Sequence, residues 1–428
     1  MDVNTIESKA TPSIVRRVLA PADGGVGIAR VLLLGIIVAA LVSTSATIVF
    51  EIACLIPFFL SRELQRRLVQ AIRHPLVIGV IPFAAAVVIS TFYGPASWHD
   101  ALNALGGWRR LLLVPLCVAV FDDPASKRLV CKVFLMMCLL GALVSFVTEW
   151  EQTPILHKLP PGVSFHNYTV QALSFSVAII ICIAAIMRPK AFAGDRLLGD
   201  RRIMAAAIAV LAFDVVFVLW GRSGYLGLLV MAVAVVTFLV RGSWRMKALA
   251  GLGVLICVGL LLGSSAQVRG RIEQALREFE TADQSAIPTS LGYRAAFWPT
   301  TLRMVRDHPI FGVGTGGFAD GYRPYGQSVE GWRGDDTGDP HNQFLKILGE
   351  QGLIGVAAFL FFIARALMCP APAPYRQLAA AALICWCATS MANSHFSTFV
   401  EGRLIFFWLG AMLAGCPGAN GSETASPA

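Results

Sequence analysis

The sequence is poor in charge: Asp, Glu, Lys and Arg make up 14% of its 428 residues, against about 25% in an ordinary soluble domain. Apolar residues make up 56%, and the mean hydropathy is +0.67. This balance excludes a soluble enzyme, a disordered protein and a secreted disulfide scaffold. Since roughly 20 apolar residues cross a bilayer, the apolar content would fill on the order of twelve crossings.

Cysteine is absent from the longest polar segment, residues 264–342; all ten cysteines lie in or beside apolar runs. We therefore expect small buried hydrophobes and neither a disulfide framework nor a redox site. We also expect no cleavable signal sequence, because the first apolar run begins near Ala29, behind a polar arm that carries Lys9, Arg16 and Arg17. We expect this arm to stay in the cytoplasm.

Apolar stretches bounded by charged residues, Pro or Gly predict about twelve transmembrane helices. They lie near residues 29–44, 45–61, 75–93, 108–121, 128–148, 169–187, 203–220, 223–240, 247–263, 343–364, 377–394 and 403–415. The predicted fold class is all-α: a polytopic membrane protein with a large helical loop before the last three spans.

The basic residues predict the orientation of these spans. The net charge of +9 is weak evidence for a nucleic-acid partner, because Lys and Arg of a membrane protein accumulate in cytoplasmic loops. With the N-terminus inside, most Lys and Arg residues do fall in cytoplasmic segments. The short external loops would hold only Arg109, Arg110, Lys158, Arg222 and Arg403. Both termini are therefore predicted to be cytoplasmic, and the long loop external.

This topology divides the chain into four predicted parts. Residues 1–263 form an N-terminal transmembrane bundle of about nine spans, and residues 264–342 form an external loop domain. Residues 343–415 hold about three further spans. Residues 416–428 are polar and small, which predicts a disordered cytoplasmic tail.

A glycine motif in the loop has two interpretations. Gly312, Gly314 and Gly317 spell GxGxxG, which in a dinucleotide site follows a strand and opens a helix. The sequence predicts neither neighbour here. This context favours an irregular turn over a nucleotide site.

An acidic motif in the same loop is also ambiguous. Asp335, Asp336 and Asp339 spell DDxxD, a spacing that can hold magnesium on a diphosphate. With Gly338 and Pro340 the same letters also make an ordinary solvated turn, which is the interpretation we favour.

His341 and Asn342 stand where the loop re-enters the membrane. A histidine at this boundary is either a polar cap or a general base, for which imidazole has a suitable pKa near neutral pH. The two interpretations stay open on sequence alone.

Arginines are expected near the same surface: Arg222 between two spans, Arg294 in a loop helix, and Arg109 or Arg110 at the opening of another span. An arginine at a helix end often only extends its charge to water. Arg222 is the strongest candidate for chemistry, because only a few residues separate its two spans and the planar guanidinium suits phosphate oxygens. Several such arginines with one nearby base would suit a lipid-linked phosphate substrate.

Four segments resemble the superfamily of bacterial inner-membrane O-antigen ligases and polymerases. They are GRSGYLG at 221–227, YRAAFW at 293–298, HPIFGVGTGGF at 308–318 and PHNQFLKILGEQGLIG at 340–355. The order of features is also similar: many spans, one large late periplasmic loop, and a His-Asn pair that starts the next helix.

The resemblance implies that a glycan is transferred from undecaprenyl diphosphate to an acceptor hydroxyl in the periplasmic leaflet, without a metal or another cofactor. His341 matches the family's essential histidine, the implied general base. Arg222 and Arg294 match its diphosphate-binding arginines, although this sequence reads GRSGY where many members have Ser-Arg-Gly. The other expected substrate-binding residues are Arg109, Arg110, Asn342, Tyr293 and Trp298.

The length and the single late loop favour the ligase, whose acceptor is a sugar of the lipid A core. The O-antigen polymerase and the protein O-oligosaccharyltransferase use the same donor and are the alternatives. A lipid or polysaccharide transporter is a more remote alternative, because it should carry ionisable residues along a path through its spans. Here the spans contain few, such as Glu51 and Asp214.

The orientation gives a first testable prediction. Reporter fusions after residues 70, 195 and 245 should report a cytoplasmic location, and fusions near residues 160 and 320 a periplasmic one, because the basic loops resist translocation. A cytoplasmic signal from the fusion near residue 320 would contradict the placement of the long loop.

Overall fold

The computed structural model describes residues 24–151, 159–240, 242–280, 289–327, 329 and 331–415. The polar N-terminal arm, Lys158 and the predicted tail at 416–428 therefore lie outside the described residues. Helices make up 79% of the structure, and no strand occurs in the described ranges. The all-α fold class of a polytopic membrane protein is confirmed.

Seventeen α-helices follow one another along the described part of the chain. They are α1 (Gly24–Val42), α2 (Thr44–Leu60), α3 (Arg62–Ala71), α4 (Pro75–Ser90), α5 (Trp98–Trp108), α6 (Leu113–Val120), α7 (Pro124–Glu151), α8 (Tyr168–Met187), α9 (Arg201–Phe213), α10 (Arg222–Ala234), α11 (Trp244–Ser264), α12 (Ala266–Glu280), α13 (Ser290–Asp307), α14 (Phe318–Gly326), α15 (Gln343–Met368), α16 (Tyr375–Thr389) and α17 (Phe399–Leu413). Wider π-helical turns extend α9 and α10, at Asp214–Val218 and Val235–Leu239.

Each predicted span coincides with an apolar helix, but the helices differ in length. In the described ranges, seven helical stretches are long and apolar enough to cross a membrane, and up to eight if α2 and α3, which meet at a 104° bend, form one span. The other predicted spans do not reach that length and composition on their own.

Two helices are buried along almost their whole length. Most of α8 is buried, and so is every residue of α17 from Val400 to Leu413. Because α17 has 15 residues, it is only about 22 Å long. An irregular segment, residues 390–398, precedes α17, and we call it the hinge loop. Its residues Ser394, His395 and Phe396 are buried.

Two expectations from the sequence need correction here. Arg403 was placed in an external loop, but it lies inside α17, where it is 1% exposed. Arg109 and Arg110 do not open a span, because α5 begins earlier and the helical stretch Trp98–Val120 runs through them. The local hydropathy is low at each arginine. The sequence therefore predicts that each helix starts at or beside the arginine, whereas it begins earlier in the chain.

The cysteines are mostly buried, as expected, and those described are free thiols. Cys257 is the exception, since it is exposed on α11. This helix buries no residue in the bundle, although its composition is apolar. An apolar helix with no buried face is consistent with a surface that contacts lipid.

A glycine-rich strap, residues 308–317, fills a break in α15. The helix is interrupted at Gly352, whose φ of 63° and ψ of −162° are not helical. The strap pairs with backbone groups on both sides of the break. Val313 N and Gly314 N donate to Gly349 O and Glu350 O at 2.8 Å, and Leu353 N donates to Pro309 O at 2.9 Å. A buried break is tolerated only when its backbone groups find such partners.

The strap also accounts for the GxGxxG motif. It follows α13, a helix and not a strand, and it leads into the short helix α14. Thr315 N donates to Ser90 O at 2.9 Å, and Thr315 Oγ1 lies 2.7 Å from Ser90 Oγ. The motif is an irregular turn that joins α4 to α15, which the sequence favoured.

Gly314 should be essential for this junction. Its φ is +87°, and a Cβ atom at this position would collide with Tyr93 O and lie 2.9 Å from Ser90 O. Gly314→Ala should therefore destabilise the folded state by at least about 1 kcal/mol, measured as a lower midpoint of thermal unfolding in detergent. Gly253→Ala is the control, because Gly253 has open space around it. An unchanged midpoint for Gly314→Ala would contradict the packing of the strap.

Candidate functional site

His341 occupies an unusual backbone conformation. Its φ is +53°, and it is the only non-glycine residue with a positive φ in the described part of the chain. Its backbone N donates to Asp339 Oδ1 at 2.8 Å. The ring lies against Phe297 of α13, with 6.5 Å between the ring centroids and 22° between the planes. Left-handed backbone at a residue with a Cβ costs free energy and is concentrated at functional sites.

His341 is exposed to solvent and interacts with several charged groups. Packing beneath the ring lowers the pKa of His341, and repulsion from Arg294 and Lys346 acts in the same direction, whereas Asp339 opposes it. A lowered pKa keeps the imidazole neutral near pH 7. In that state it can accept a proton.

Arg294 of α13 lies beside His341 and is held by uncharged oxygens. Its Nε and Nη2 donate to Ala392 O at 3.0 and 2.8 Å, and its Nη1 donates to Ser290 O and Oγ at 2.8 and 2.7 Å. Burial and the nearby Arg222 lower the pKa of Arg294, while Glu278 raises it. The guanidinium thus has a fixed direction, and its hydrogen bonds involve no carboxylate.

Arg222 begins α10 and is paired with an acid that the sequence analysis did not single out. Its Nη1 and Nη2 donate to the two carboxylate oxygens of Glu278 of α12, at 2.9 and 2.8 Å. The carboxylate is 9% exposed and the guanidinium 31%. This bidentate pair lowers the pKa of Glu278. Arg222 also interacts electrostatically with Arg294, but its charge is balanced by Glu278.

Asn342 and Gln343 fix the start of α15. Asn342 Oδ1 accepts from the backbone N atoms of Phe344 and Leu345 at 3.0 and 3.2 Å, so this side chain is a helix cap. Gln343 is fully buried, and its Oε1 accepts from Phe396 N and Ser397 N at 3.0 Å. The expected role of Asn342 in binding substrate stays a prediction, beside this structural role.

The two aromatic candidates support the walls of the site. Tyr293 packs edge-on against Trp332, with ring centroids 5.5 Å apart, and Trp298 Nε1 donates to Pro340 O at 3.0 Å. The latter bond ties α13 to the residue directly before His341. Both side chains are partly exposed, so contact with a sugar stays a prediction.

Arg109 and Arg110 belong to a separate polar cluster. Glu51 of α2 accepts from Arg109 Nε at 3.0 Å and from Arg403 Nε at 2.5 Å. Arg110 is 5% exposed and donates to Phe396 O and Thr398 O of the hinge loop. These bonds tie both arginines to the bundle, and the structure records no contact of either with His341 or Arg294.

The carboxylates of the DDxxD motif point to different partners. Asp336 accepts from Arg323 Nε at 2.8 Å, while Asp339 accepts from Ser394 Oγ at 2.7 Å. Among the described residues, no three His, Cys, Asp or Glu side chains are grouped as metal ligands. The arrangement is that of an ordered turn held by hydrogen bonds.

The hinge loop is the main element that the sequence analysis missed. It was read partly as the end of a span at 377–394, yet its backbone binds Arg294 through Ala392 O and Arg110 through Phe396 O. The polar run SMANSHFST is a signal that could have indicated a loop. Glu278 had no distinguishing signal, because other glutamates stand nearby on α12.

A family model described as O-Antigen ligase matches residues 207–360. An uncharacterised protein of Haemophilus influenzae is 22% identical over 264 residues, which is 60% of this chain and 63% of that protein. The chain thus matches less than two thirds of that relative's length. The family match contains Arg222, Arg294 and His341. The segment of residues 207–360 is therefore similar to the O-antigen ligase family, which the sequence motifs also indicated.

Proposed function

We propose that this chain is an O-antigen ligase, a membrane glycosyltransferase that moves O-antigen polysaccharide from undecaprenyl diphosphate to a sugar hydroxyl of the lipid A core. The observation that supports this most directly is the junction of α13, α15 and the hinge loop. There the exposed imidazole of His341 lies beside the Arg294 guanidinium, whose hydrogen bonds in the described residues go to uncharged oxygens. Both lie within the segment that matches the family.

His341 acts as the general base in this proposal. It removes the proton from the attacking hydroxyl, the hydroxyl oxygen forms a bond to the anomeric carbon, and the bond from that carbon to the diphosphate oxygen breaks. Attack opposite the leaving group inverts the anomeric centre. The lowered pKa of His341 suits this task, because the imidazole is then unprotonated near neutral pH.

Arg294 and Arg222 bind the diphosphate and offset the negative charge that develops on the leaving oxygen. Arg294 is ready for this role, since backbone oxygens hold its guanidinium in place. Arg222 must exchange its partner: the donor diphosphate replaces the Glu278 carboxylate, or shares the guanidinium with it. In this proposal the two guanidiniums supply the positive charge that a metal ion would otherwise provide.

The site would face the periplasm, with both termini in the cytoplasm, as the basic loops predict. The donor's lipid chain would lie along the apolar helices, among membrane lipids. Arg110 would then support the hinge loop through its bonds to Phe396 O and Thr398 O. The polymerase and the protein O-oligosaccharyltransferase stay the alternatives, because the site chemistry described above serves all three.

Deletion of the gene tests the activity. If the chain is the ligase, lipopolysaccharide from the deletion strain should lose its O-antigen ladder on a gel while lipid-linked O-antigen accumulates, and the intact gene should restore the ladder. A core that carries a single repeat unit would indicate the polymerase instead. An unchanged ladder, together with loss of glycan from proteins, would indicate the protein-modifying alternative.

Substitutions at the site should separate the two proposed roles. His341→Ala should lower turnover by about 10²-fold to 10⁴-fold while donor binding persists, since the base acts on the acceptor hydroxyl. Arg294→Ala and Arg222→Ala should weaken donor binding as well as turnover. Lysine at either position should restore activity only in part, because it keeps the charge but loses the planar fork. Turnover and binding of extracted lipid-linked donor are measured on purified protein.

His308→Ala and Arg306→Ala are matched controls, because both residues are exposed at the end of α13. Each variant must reach the membrane in the same amount as the parent protein. Near-parental turnover of His341→Ala would return this residue to the alternative role, a polar cap where the chain enters the membrane.

A further inference from the structure

One carboxylate joins three elements around His341. Asp339 Oδ1 accepts from His341 N at 2.8 Å and from Ser394 Oγ of the hinge loop at 2.7 Å. Asp339 Oδ2 accepts from Lys346 Nζ of α15 at 3.3 Å. The turn that carries His341 is therefore tied, through this single side chain, to the hinge loop and to the first turns of α15.

The turn itself is held in a defined shape on both sides of Asp339. Thr337 Oγ1 donates to Asp339 O at 2.8 Å and accepts from Asp339 N at 3.1 Å. The bond from His341 N to the aspartate two residues earlier closes an Asx-type turn. Such a turn stabilises the positive φ of His341, which a residue with a Cβ adopts only when its surroundings compensate the cost.

The ring of His341 interacts with two cations and one anion among the described groups. Arg294 approaches from α13 and Lys346 from α15, and both cations oppose a positive charge on the imidazole. Asp339 is the one anion among the described groups that interact with the ring. When His341 takes the proton of an acceptor hydroxyl, the imidazolium therefore forms between two cations and one carboxylate.

We propose that Asp339 is the positioning residue of His341. Its carboxylate holds the backbone turn that presents the imidazole, and its negative charge stabilises the imidazolium that forms during transfer. The proposal rests on the general-base role given to His341 above. It gives the last aspartate of the DDxxD motif a function that involves no metal.

The pH dependence of turnover distinguishes this role from a merely structural one. Asp339→Asn keeps an oxygen that can accept from His341 N but removes the charge. Without the anion, the imidazole is protonated only at lower pH, so the acid limb of the rate profile should move down by roughly half a pH unit or more. The plateau rate should also fall by at least about tenfold, because the imidazolium loses its partner.

Lys346→Met should move the same limb in the opposite direction. Removal of this cation makes the imidazolium more favourable, so His341 is protonated at higher pH and the limb moves up. Ser394→Ala removes one hydrogen bond of Asp339 and leaves its charge, so the limb should stay in place even if the rate falls. Asp336→Asn is the control for removal of a nearby carboxylate, because Asp336 binds Arg323.

The experiment uses the full chain in detergent. Initial rates of glycan transfer are measured between about pH 5 and 9, a range that brackets the ordinary histidine pKa. The donor is lipid-linked glycan extracted from the deletion strain, and the acceptor is lipid A core from the same strain. Opposite displacements for Asp339→Asn and Lys346→Met support the proposal.

A lower rate for Asp339→Asn with an unmoved acid limb overturns the proposal and reduces Asp339 to a structural hydrogen-bond acceptor. If Asp339→Asn does not fold, Lys346→Met alone tests the proposal. An acid limb that stays in place or moves to lower pH in this variant contradicts the proposed charge balance around His341. Activity of His341→Ala is measured in parallel. If that activity persists, the proposed function fails, and the outcome is distinct from a failure at Asp339.

Discussion

Backbone amide and carbonyl groups that have no hydrogen-bond partner within their own helix determine where polar groups gather in this protein. In an apolar bundle each break in a helix exposes amide and carbonyl groups that water cannot reach, and these groups must find partners inside the protein. The strap pairs with the broken ends of α15 at Gly349 and Glu350. The hinge loop fills the gap before α17 and offers its carbonyls to Arg294 and Arg110. Both irregular segments bind α15, the helix that begins directly after His341 and Asn342.

The same constraint explains how two arginines can lie close together. Arg294 donates to the oxygens of Ser290 and Ala392, and the charge of Arg222 is balanced by Glu278. A buried charge without a partner would cost several kcal/mol, so each guanidinium needs compensating groups within the folded chain. Hydrogen bonds to uncharged oxygens also leave the positive charge of Arg294 without a counter-charge, whereas a carboxylate partner would balance it.

The positions of the helices could be predicted from the sequence because hydropathy is a local property, and every expected span coincides with an apolar helix. The lengths of the helices could not be predicted from the sequence. The end of α16 and the start of α17 depend on the hydrogen-bond partners of the hinge loop, which lie far away in the sequence. The same limit applies to the site. His341, Arg222 and Arg294 carry recognisable motifs, whereas Ala392 contributes only a backbone carbonyl and Glu278 resembles its neighbours on α12. Arg403 and Glu51, 352 residues apart, meet only in the folded chain.

Under the proposed function, the Arg222–Glu278 pair would make donor binding an exchange of anions. A diphosphate carries more negative charge than a carboxylate and can bridge Arg222 and Arg294 together, which Glu278 does not do in the structure. Replacement of one acceptor by another costs less than exposure of a bare guanidinium, because the desolvation of Arg222 has already been compensated during folding. When the diphosphate leaves with its lipid, Glu278 can return to Arg222. The pair would thus keep the arginine oriented between turnovers and favour ligands whose charge exceeds that of a single carboxylate.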